Sequence, residues 1–499
     1  MIERNEAKRI NALASWLLFA LSALAGALLF SPSTSPLYSD WGYDSAMFQT
    51  IGKYWAQGHL PYVELFDHKG PIIFFINALG YALGGRGGVF AIQVLCLAVS
   101  EYFAFRMLCT RLSRSWSLLL TLLLPLVFSA TWQEGNTTEE YILPLLFASY
   151  YSMLLWLDGL GQGRYSHRAS AAFLYGLSFA FALLTRVTNA LGICVGTAFI
   201  AVYLIVKGQW RNLLNNALAF IGGSAVLILP FCLYFQRNDA LYDMWYGTVI
   251  YNFSYMSAHK DALSFSLVEF LLYVRRCLCG FALAFAALWG LLFGRERRLG
   301  SLMWLLVSVL SAAFLYGQNA YDHYATVLLP LFVLAVCELD VEKFKGAAAK
   351  LTGAVCVLMC VFVLTSSVYK SYKGFVTEQP PQAYEYYGDE YHSLLALIPE
   401  EGRESFIAID CPRRIYLEND LRPSLRFFTL QTWMGLNSEE LQDMICRELM
   451  EKEVEWLLLM DMGQPRLPEL IRESYELVAK SEKEVYQLYR LKQTQKTDG

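Results

Sequence analysis

The sequence predicts a polytopic α-helical membrane protein, with about eleven transmembrane helices followed by a small C-terminal α/β domain. Three observations lead there. Of the 499 residues, 56% are hydrophobic and only 17% charged, and mean hydropathy is +0.36, far from the usual soluble composition. Many stretches of about 18 to 24 residues carry no charge, enough for a helix to cross about 30 Å of hydrocarbon. Beyond residue 370 the composition turns charged and polar.

The start, MIERNEAKRINALASWLLFALSALAGALLF, places basic residues before an apolar run. The run is about 20 residues long, more than a signal-peptide core, and no small-residue cleavage site leads into a soluble domain. It is therefore expected to be the first span. Spans are expected near 11–30, 88–108, 116–132, 140–157, 170–185, 189–206, 213–235, 277–294, 300–316, 324–338 and 350–369. Basic residues of the short loops fall on one side of this weave: Arg4, Lys8 and Arg9; Arg106, Arg111 and Arg114; Arg164 and Arg168; Lys207 and Arg211; Arg295, Arg297 and Arg298; Lys343, Lys345 and Lys350. By the positive-inside rule that side is cytoplasmic. The N-terminus is then cytoplasmic, in a plasma membrane, and an odd number of spans puts the C-terminal part outside.

Two domains follow, a membrane part over 1–370 and an extracytoplasmic α/β domain over 371–499. The latter opens with the linker TEQPPQAYEYYGDEYH, Thr377 to His392. FIAID (Phe406–Asp410) and EWLLLMD (Glu455–Asp461) read as buried strands, NSEELQDMICRELMEK as a helix between them, and YELVAKSEKEVYQLYRL as a hairpin. Of the eleven cysteines, nine lie in or beside apolar segments, where they pack. Cys411 and Cys446 lie in the polar part and are candidates to pair in an oxidising compartment.

The first outer loop, about 31–87, holds two further helices. Met47, Ile51, Tyr54 and Trp55 in SAMFQTIGKYWAQG have helical spacing, which predicts an amphipathic helix on the membrane surface. Pro71 to Leu83 is apolar but too short to span, and is expected to be a second interfacial helix.

Titratable residues gather at the outer rim. Asp44 follows the first span, and a carboxylate there can act as a general base on a hydroxyl; its alternative is a helix N-cap. Asp40 is the second choice. Lys69, before Gly70 and Pro71, can hold a phosphate at headgroup level with help from free amides of the helix start, or it can simply snorkel. Asp67 and His68 stand beside it. In WQEGNTTEEYILP, Glu139 or Glu140 can serve a site, or complement the dipole of a helix capped by Thr137 or Thr138; about 100° between them favours one inward side chain. Arg186 is a lone outer arginine whose partner is either a phosphate or an outer carboxylate. His323 and Tyr324 can donate to a sugar or phosphate, or face water.

Other chemistries lack support. No phosphate-binding glycine loop or dinucleotide fingerprint occurs, and nothing points to a nucleic-acid partner. No cofactor is implied. A divalent-metal site from His68, Asp67 and outer glutamates has no paired-histidine spacing or dense ligand cluster behind it.

In order, Asp44, IGKYWAQGHLPYVELFDHKGPIIFF, TTEEY, Arg186 and DHYATVLLP resemble the GT-C membrane glycosyltransferases, especially the protein O-mannosyltransferase and aminoarabinose-transferase branch. The resemblance covers about 1–370 and is most specific in the first loop. It implies a transferase moving a sugar from a polyprenyl-phosphate-linked donor to an acceptor hydroxyl on a glycan, lipid or protein, with inversion. It further implies Asp44 as base, Glu139 or Glu140 as the second acid, and Lys69 with Arg186 on the donor phosphate. Tyr62, Asp67, His68, His323 and Tyr324 become substrate-binding candidates. A transporter of lipid-linked sugars and a non-catalytic cell-envelope assembly protein are the competing readings.

Overall fold

The computed structural model describes residues 2–129, 131–253, 267–293, 298–316, 321–339, 346–376, 390–429, 439–460 and 467–492. Most of the Thr377–His392 linker, and parts of the loops expected around 236–276 and 316–324, lie outside the described residues. The chain divides into two compact units. The first comprises Met1–Asp40, Gly87–Tyr234 and Leu263–Gln382; the second comprises Trp41–Arg86, Phe235–Ala262 and Ala383–Gly499.

The first unit is helical, and helices stand at or near all eleven expected positions. Among the described residues six are long and apolar enough to cross a membrane, or seven if the pair Phe270–Arg276 and Leu278–Phe293, bent by 76°, is one span. The others fall short for visible reasons. The expected 116–132 span breaks into Arg114–Leu122 and Leu124–Phe128, where Pro125 cannot donate to the preceding turn. The 324–338 span begins as a 3₁₀ turn, Asp322–Leu328, and continues as a ten-residue α-helix, Leu329–Glu338, with Pro330 in its first turn.

Helices meet where side chains are small. Gly176 lies against the Phe220 carbonyl and Gly223 against the Phe173 carbonyl, so two glycines let the helices Ala169–Leu183 and Trp210–Arg237 approach. Phe147, Met153, Leu283, Trp304, Val307 and Leu334 fill the core of this unit. The long helix Trp210–Arg237 instead exposes Leu214, Leu218, Ile221, Leu229 and Leu233, a stripe suited to hydrocarbon rather than water.

In the second unit the two first-loop helices occur as Asp44–Ala56 and Pro71–Gly84. The first is not a helix with one wet face. Gln49 and Thr50 are as buried as Met47 and Ile51, and their polar groups are satisfied locally, Gln49 Nε2 donating to Ser45 Oγ at 3.0 Å and Thr50 Oγ1 to the Ala46 carbonyl at 2.8 Å. Gly52 meets the Asn77 backbone, where a Cβ would come within 2.7 Å of its carbonyl carbon.

The strands β1 (Phe406–Ile409), β2 (Trp456–Leu459), β3 (Tyr475–Lys480) and β4 (Gln487–Leu491) form one sheet in the order β1-β2-β4-β3. The parallel pair β1 and β2 is buried throughout, which is why both read as unbroken apolar runs. The helix Glu439–Glu451 lies between them in sequence, and β3–β4 is the expected hairpin. Cys411 and Cys446 do not pair; both are free thiols. The Cys411 thiol points back at the Ile409 and Leu458 carbonyls (3.3 and 3.6 Å), while Cys446 belongs to the helix.

Candidate functional site

The candidate residues fall into two clusters, one in each unit. The first-loop cluster is organised by the turn after Leu60. Tyr62 takes a left-handed conformation (φ 69°), unusual for an aromatic residue, and is fully buried. Its amide donates to the Leu65 carbonyl at 2.8 Å, and its hydroxyl donates to the Lys69 carbonyl at 2.8 Å. The ring packs against Phe74, Phe235 and the Gly247 backbone, where a Cβ would come within 2.7 Å of it. One residue thus holds both ends of the FDHK segment, by its backbone amide at one end and its side chain at the other. Asn252 Nδ2 adds a bond to the His68 carbonyl at 2.8 Å.

Gly70 and Pro71 then start the second loop helix, with Gly70 as its extended N-cap and Pro71 as its first helical residue. Lys69 therefore stands one residue ahead of a helix start. Its Nζ lies 2.9 Å from His68 Nε2, and His68 Nδ1 lies 3.3 Å from Asp67 Oδ2. An ammonium has protons but no acceptor, so Nε2 accepts and the ring proton sits on Nδ1, facing Asp67. Asp67 is wholly buried, and its other oxygen accepts the Lys69 amide at 3.0 Å. Burial alone would raise its pKa, but His68 and Lys69 outweigh burial and hold the carboxyl well below its usual range. Burial and the Lys69 charge push His68 below its ordinary value. The result is a carboxylate, a neutral imidazole and an ammonium in line, with the ammonium half-buried at the end.

Asp44 is the first residue of its helix, and no side-chain hydrogen bond caps that helix, so the N-cap reading does not hold. Its Oδ1 instead accepts from Arg413 Nη1 at 2.9 Å. Arg413 is buried at 4% exposure, lies over the Tyr43 ring at 3.6 Å, and touches Met47 Sδ at 3.7 Å. Sequence reasoning missed this residue. Its only signal is the basic pair of CPRR, Cys411–Arg414, directly after β1, and it lies 369 residues from Asp44.

In the first unit, Glu139 and Glu140 are both buried, contrary to the expectation that one would point away, because each has its own local partners. Glu139 pairs with Arg186 Nη1 at 2.8 Å and accepts from Thr138 Oγ1 at 2.9 Å. Glu140 accepts from Gln93 Nε2 at 2.6 Å, from the Asn136 amide at 3.3 Å and from Thr137 Oγ1 at 3.3 Å. Thr137 and Glu140 stand in the spacing of a capping box, but Thr137 makes no side-chain cap bond and Glu140 instead accepts the Asn136 amide just ahead of the helix Thr138–Leu160. Arg186 also stacks on Tyr324, 3.2 Å from the ring centroid, and has the Glu139 carboxylate for its ionic partner. His323 Nδ1 lies 2.5 Å from Gln133 Oε1 and its ring packs edge-on to Tyr324. Among the described residues, no three His, Cys, Asp or Glu side chains converge to hold a metal ion.

The fold is similar to that of two solved ArnT structures. The ArnT structure from Cupriavidus metallidurans bound to undecaprenyl phosphate superposes with a TM-score of 0.57 at 15% identity, covering 96% of this chain and 98% of that one. Its apo form gives 0.56 at 15% identity, with 98% of each chain covered. The Archaeoglobus fulgidus oligosaccharyltransferase gives 0.46 at 13% identity, covering 95% of this chain and 72% of that one. Comparison with curated proteins returns no match. The chain belongs to the family described as "Putative competence-induced protein Ccs4 N-terminal domain", which it matches over residues 3–365.

Proposed function

We propose that the protein is a glycosyltransferase that moves a sugar from a polyprenyl-phosphate-linked donor to an acceptor hydroxyl at the outer membrane face. The observation that carries this reading is the Lys69 ammonium, held by His68 and Asp67 one residue before a helix start, in a chain of ArnT-like fold. A cation beside free amides is suited to a lipid phosphate. ArnT, in the neighbouring structure, holds undecaprenyl phosphate.

In this mechanism Asp44 removes the proton of the acceptor hydroxyl. The oxygen attacks the anomeric carbon, the bond from that carbon to the phosphate oxygen breaks, and the polyprenyl phosphate leaves with the electron pair. Direct displacement inverts the anomeric centre. Lys69 offsets the charge that develops on the leaving phosphate. Glu139 and Arg186 form a polar cluster of the first unit, with His323 and Tyr324 beside them. The topology that fits has about eleven spans over 1–370 in a plasma membrane, a cytoplasmic N-terminus, and 371–499 as an extracytoplasmic α/β domain.

The test begins with purified protein and a panel of undecaprenyl-phosphate sugars, reading bound donor by mass spectrometry and then transfer to hydroxyl acceptors. Asp44→Asn should abolish transfer while retaining folding and donor binding, and unchanged transfer would remove Asp44 as base. Lys69→Ala should weaken undecaprenyl phosphate binding about tenfold or more; equal affinity would remove Lys69 from the phosphate site. A transporter reading has one observation in its favour, the buried Glu101 within the span Arg86–Leu108, held by Ser22 at 3.1 Å. Movement of labelled lipid across vesicles without sugar transfer would favour that reading.

A further inference from the structure

Among the described residues, four ion pairs join the C-terminal segment to the other parts of the second unit, and one of them differs in burial. Lys53 pairs with Asp420, Glu64 with Arg422 at 2.9 Å, and Asp243 with Arg426 at 2.9 Å, while the Phe66 amide donates to the Arg426 carbonyl at 2.9 Å. In the first two of these pairs one partner is substantially exposed, and in the third both partners keep partial access to solvent. Arg413 alone is buried, at 3% side-chain exposure, and its partner is Asp44.

The Arg413 Nε is buried with no hydrogen-bond partner among the described residues, as is that of Arg426, a costly state for a charged donor. Its face is held on Tyr43 and its Nη1 is aimed at one Asp44 oxygen, so the guanidinium is fixed in orientation. A third of the Asp44 side chain remains exposed. With three other ion pairs and a backbone bond already attaching the segment, removal of Arg413 need not detach it.

We infer that Arg413 is a positioning residue for Asp44, through which the C-terminal segment completes the proposed site: it orients the carboxylate and keeps it ionised for proton removal. The inference rests on the proposed role of Asp44 as base. Charged and titratable groups that act on that carboxylate include Arg413 and His68, with Tyr43 and Asp67 acting on Arg413 in turn. Of these Arg413 is the permanent cation in contact, and an adjacent cation favours the ionised form of a carboxylate.

The experiment compares full-length wild type, Arg413→Gln and Arg413→Lys in detergent. Arg413→Gln should lower transfer about 10- to 100-fold near pH 6, the range for a misplaced general base, with partial recovery at higher pH as the acid limb of the rate profile moves upward. Arg413→Lys keeps the charge and loses the planar fork, so its acid limb should stay near wild type while the rate stays low. Undecaprenyl phosphate affinity should be unchanged in both. An unmoved acid limb in Arg413→Gln, or a loss of phosphate binding equal to the loss of rate, overturns the inference. Carbodiimide labelling of Asp44, read by peptide mass spectrometry with Asp44→Asn as control, gives a readout independent of transfer. Labelling should set in at higher pH in Arg413→Gln than in wild type. If that shift appears in a protein that transfers no sugar, the Arg413 pairing stands and the transferase reading falls; no shift overturns the pairing.

Discussion

The Tyr62 hydroxyl donates to the Lys69 carbonyl at 2.8 Å while its own backbone sits at φ 69°. A buried aromatic residue in a left-handed conformation is maintained by what surrounds it, here Phe74, Phe235 and the Gly247 backbone. Tyr62→Phe keeps the packing and leaves the Lys69 carbonyl without this donor. It should cost about 1 kcal/mol of stability and weaken undecaprenyl phosphate binding several-fold. Tyr62→Ala should cost about 3 to 5 kcal/mol, the range for deleting a buried aromatic ring. Melting in detergent together with a binding titration checks both, and an affinity that Tyr62→Phe leaves at wild type would show that Lys69 is placed without the tyrosine.

The second loop helix is placed against the first by a glycine. A Cβ at Gly52 would come within 2.7 Å of the Asn77 carbonyl carbon and 2.8 Å of the Ala78 amide, both backbone atoms that cannot swing aside. Gly52→Ala should destabilise by about 1 to 3 kcal/mol, as overpacking does. Because Lys69 precedes that helix by one residue, phosphate affinity should fall with it. A variant with wild-type melting would mean that the two helices separate without strain.

These features differ in how far the sequence announced them. Met47, Ile51 and Tyr54 recur at helical spacing, and Gly70-Pro71 is a helix start by chemistry alone, so both loop helices and the position of Lys69 were legible. The parallel strands were legible because FIAI and WLLL are apolar on every residue. The burial of the first loop helix was not, since Gln49 and Thr50 read as a wet face but donate within the helix, with Tyr81 of the second loop helix donating to Gln49 Oε1. Nor was Arg413: an ion pair across 369 residues leaves no period and no spacing to read. The choice between Glu139 and Glu140 failed for a third reason. Helical angle separates the two side chains, but Gln93 and the Asn136 amide bury one, and Arg186, 47 residues away in sequence, buries the other.

His68 gives the fold a pH dependence with a definite sign. Burial and Lys69 lower its pKa in the folded protein below the ordinary value of about 6.5. As pH falls below about 6.5 the unfolded chain takes up a proton that the folded one refuses, so stability is full above that value and declines as pH drops toward the folded pKa. Asp67, also lowered, adds its own loss only below the usual carboxylate range. His68→Gln removes the first contribution and also the share of the hold on Asp67 that His68 supplies. Its melting temperature should therefore fall less than that of wild type between pH 6.5 and about 5. Parallel curves over this window would show that His68 is not held neutral.

Glu139 and Arg186 form the most buried ion pair of the first unit, 2.8 Å apart, with Glu139 at 1% exposure. Taking away the arginine leaves a carboxylate in a place where water does not reach it, so Arg186→Ala should cost about 3 kcal/mol, at the low end for a broken buried pair because Arg186 itself keeps some access to solvent. Glu139→Gln should cost less, about 1 kcal/mol, since the amide can still accept from Thr138 and the arginine can reach water. The double variant then decides what the pair is for. Combining Arg186→Ala with Glu139→Gln should melt above Arg186→Ala alone, because the stranded charge is gone. If the double variant melts no higher, the cation's contact with Tyr324, rather than its pairing with Glu139, carries the stability of this cluster.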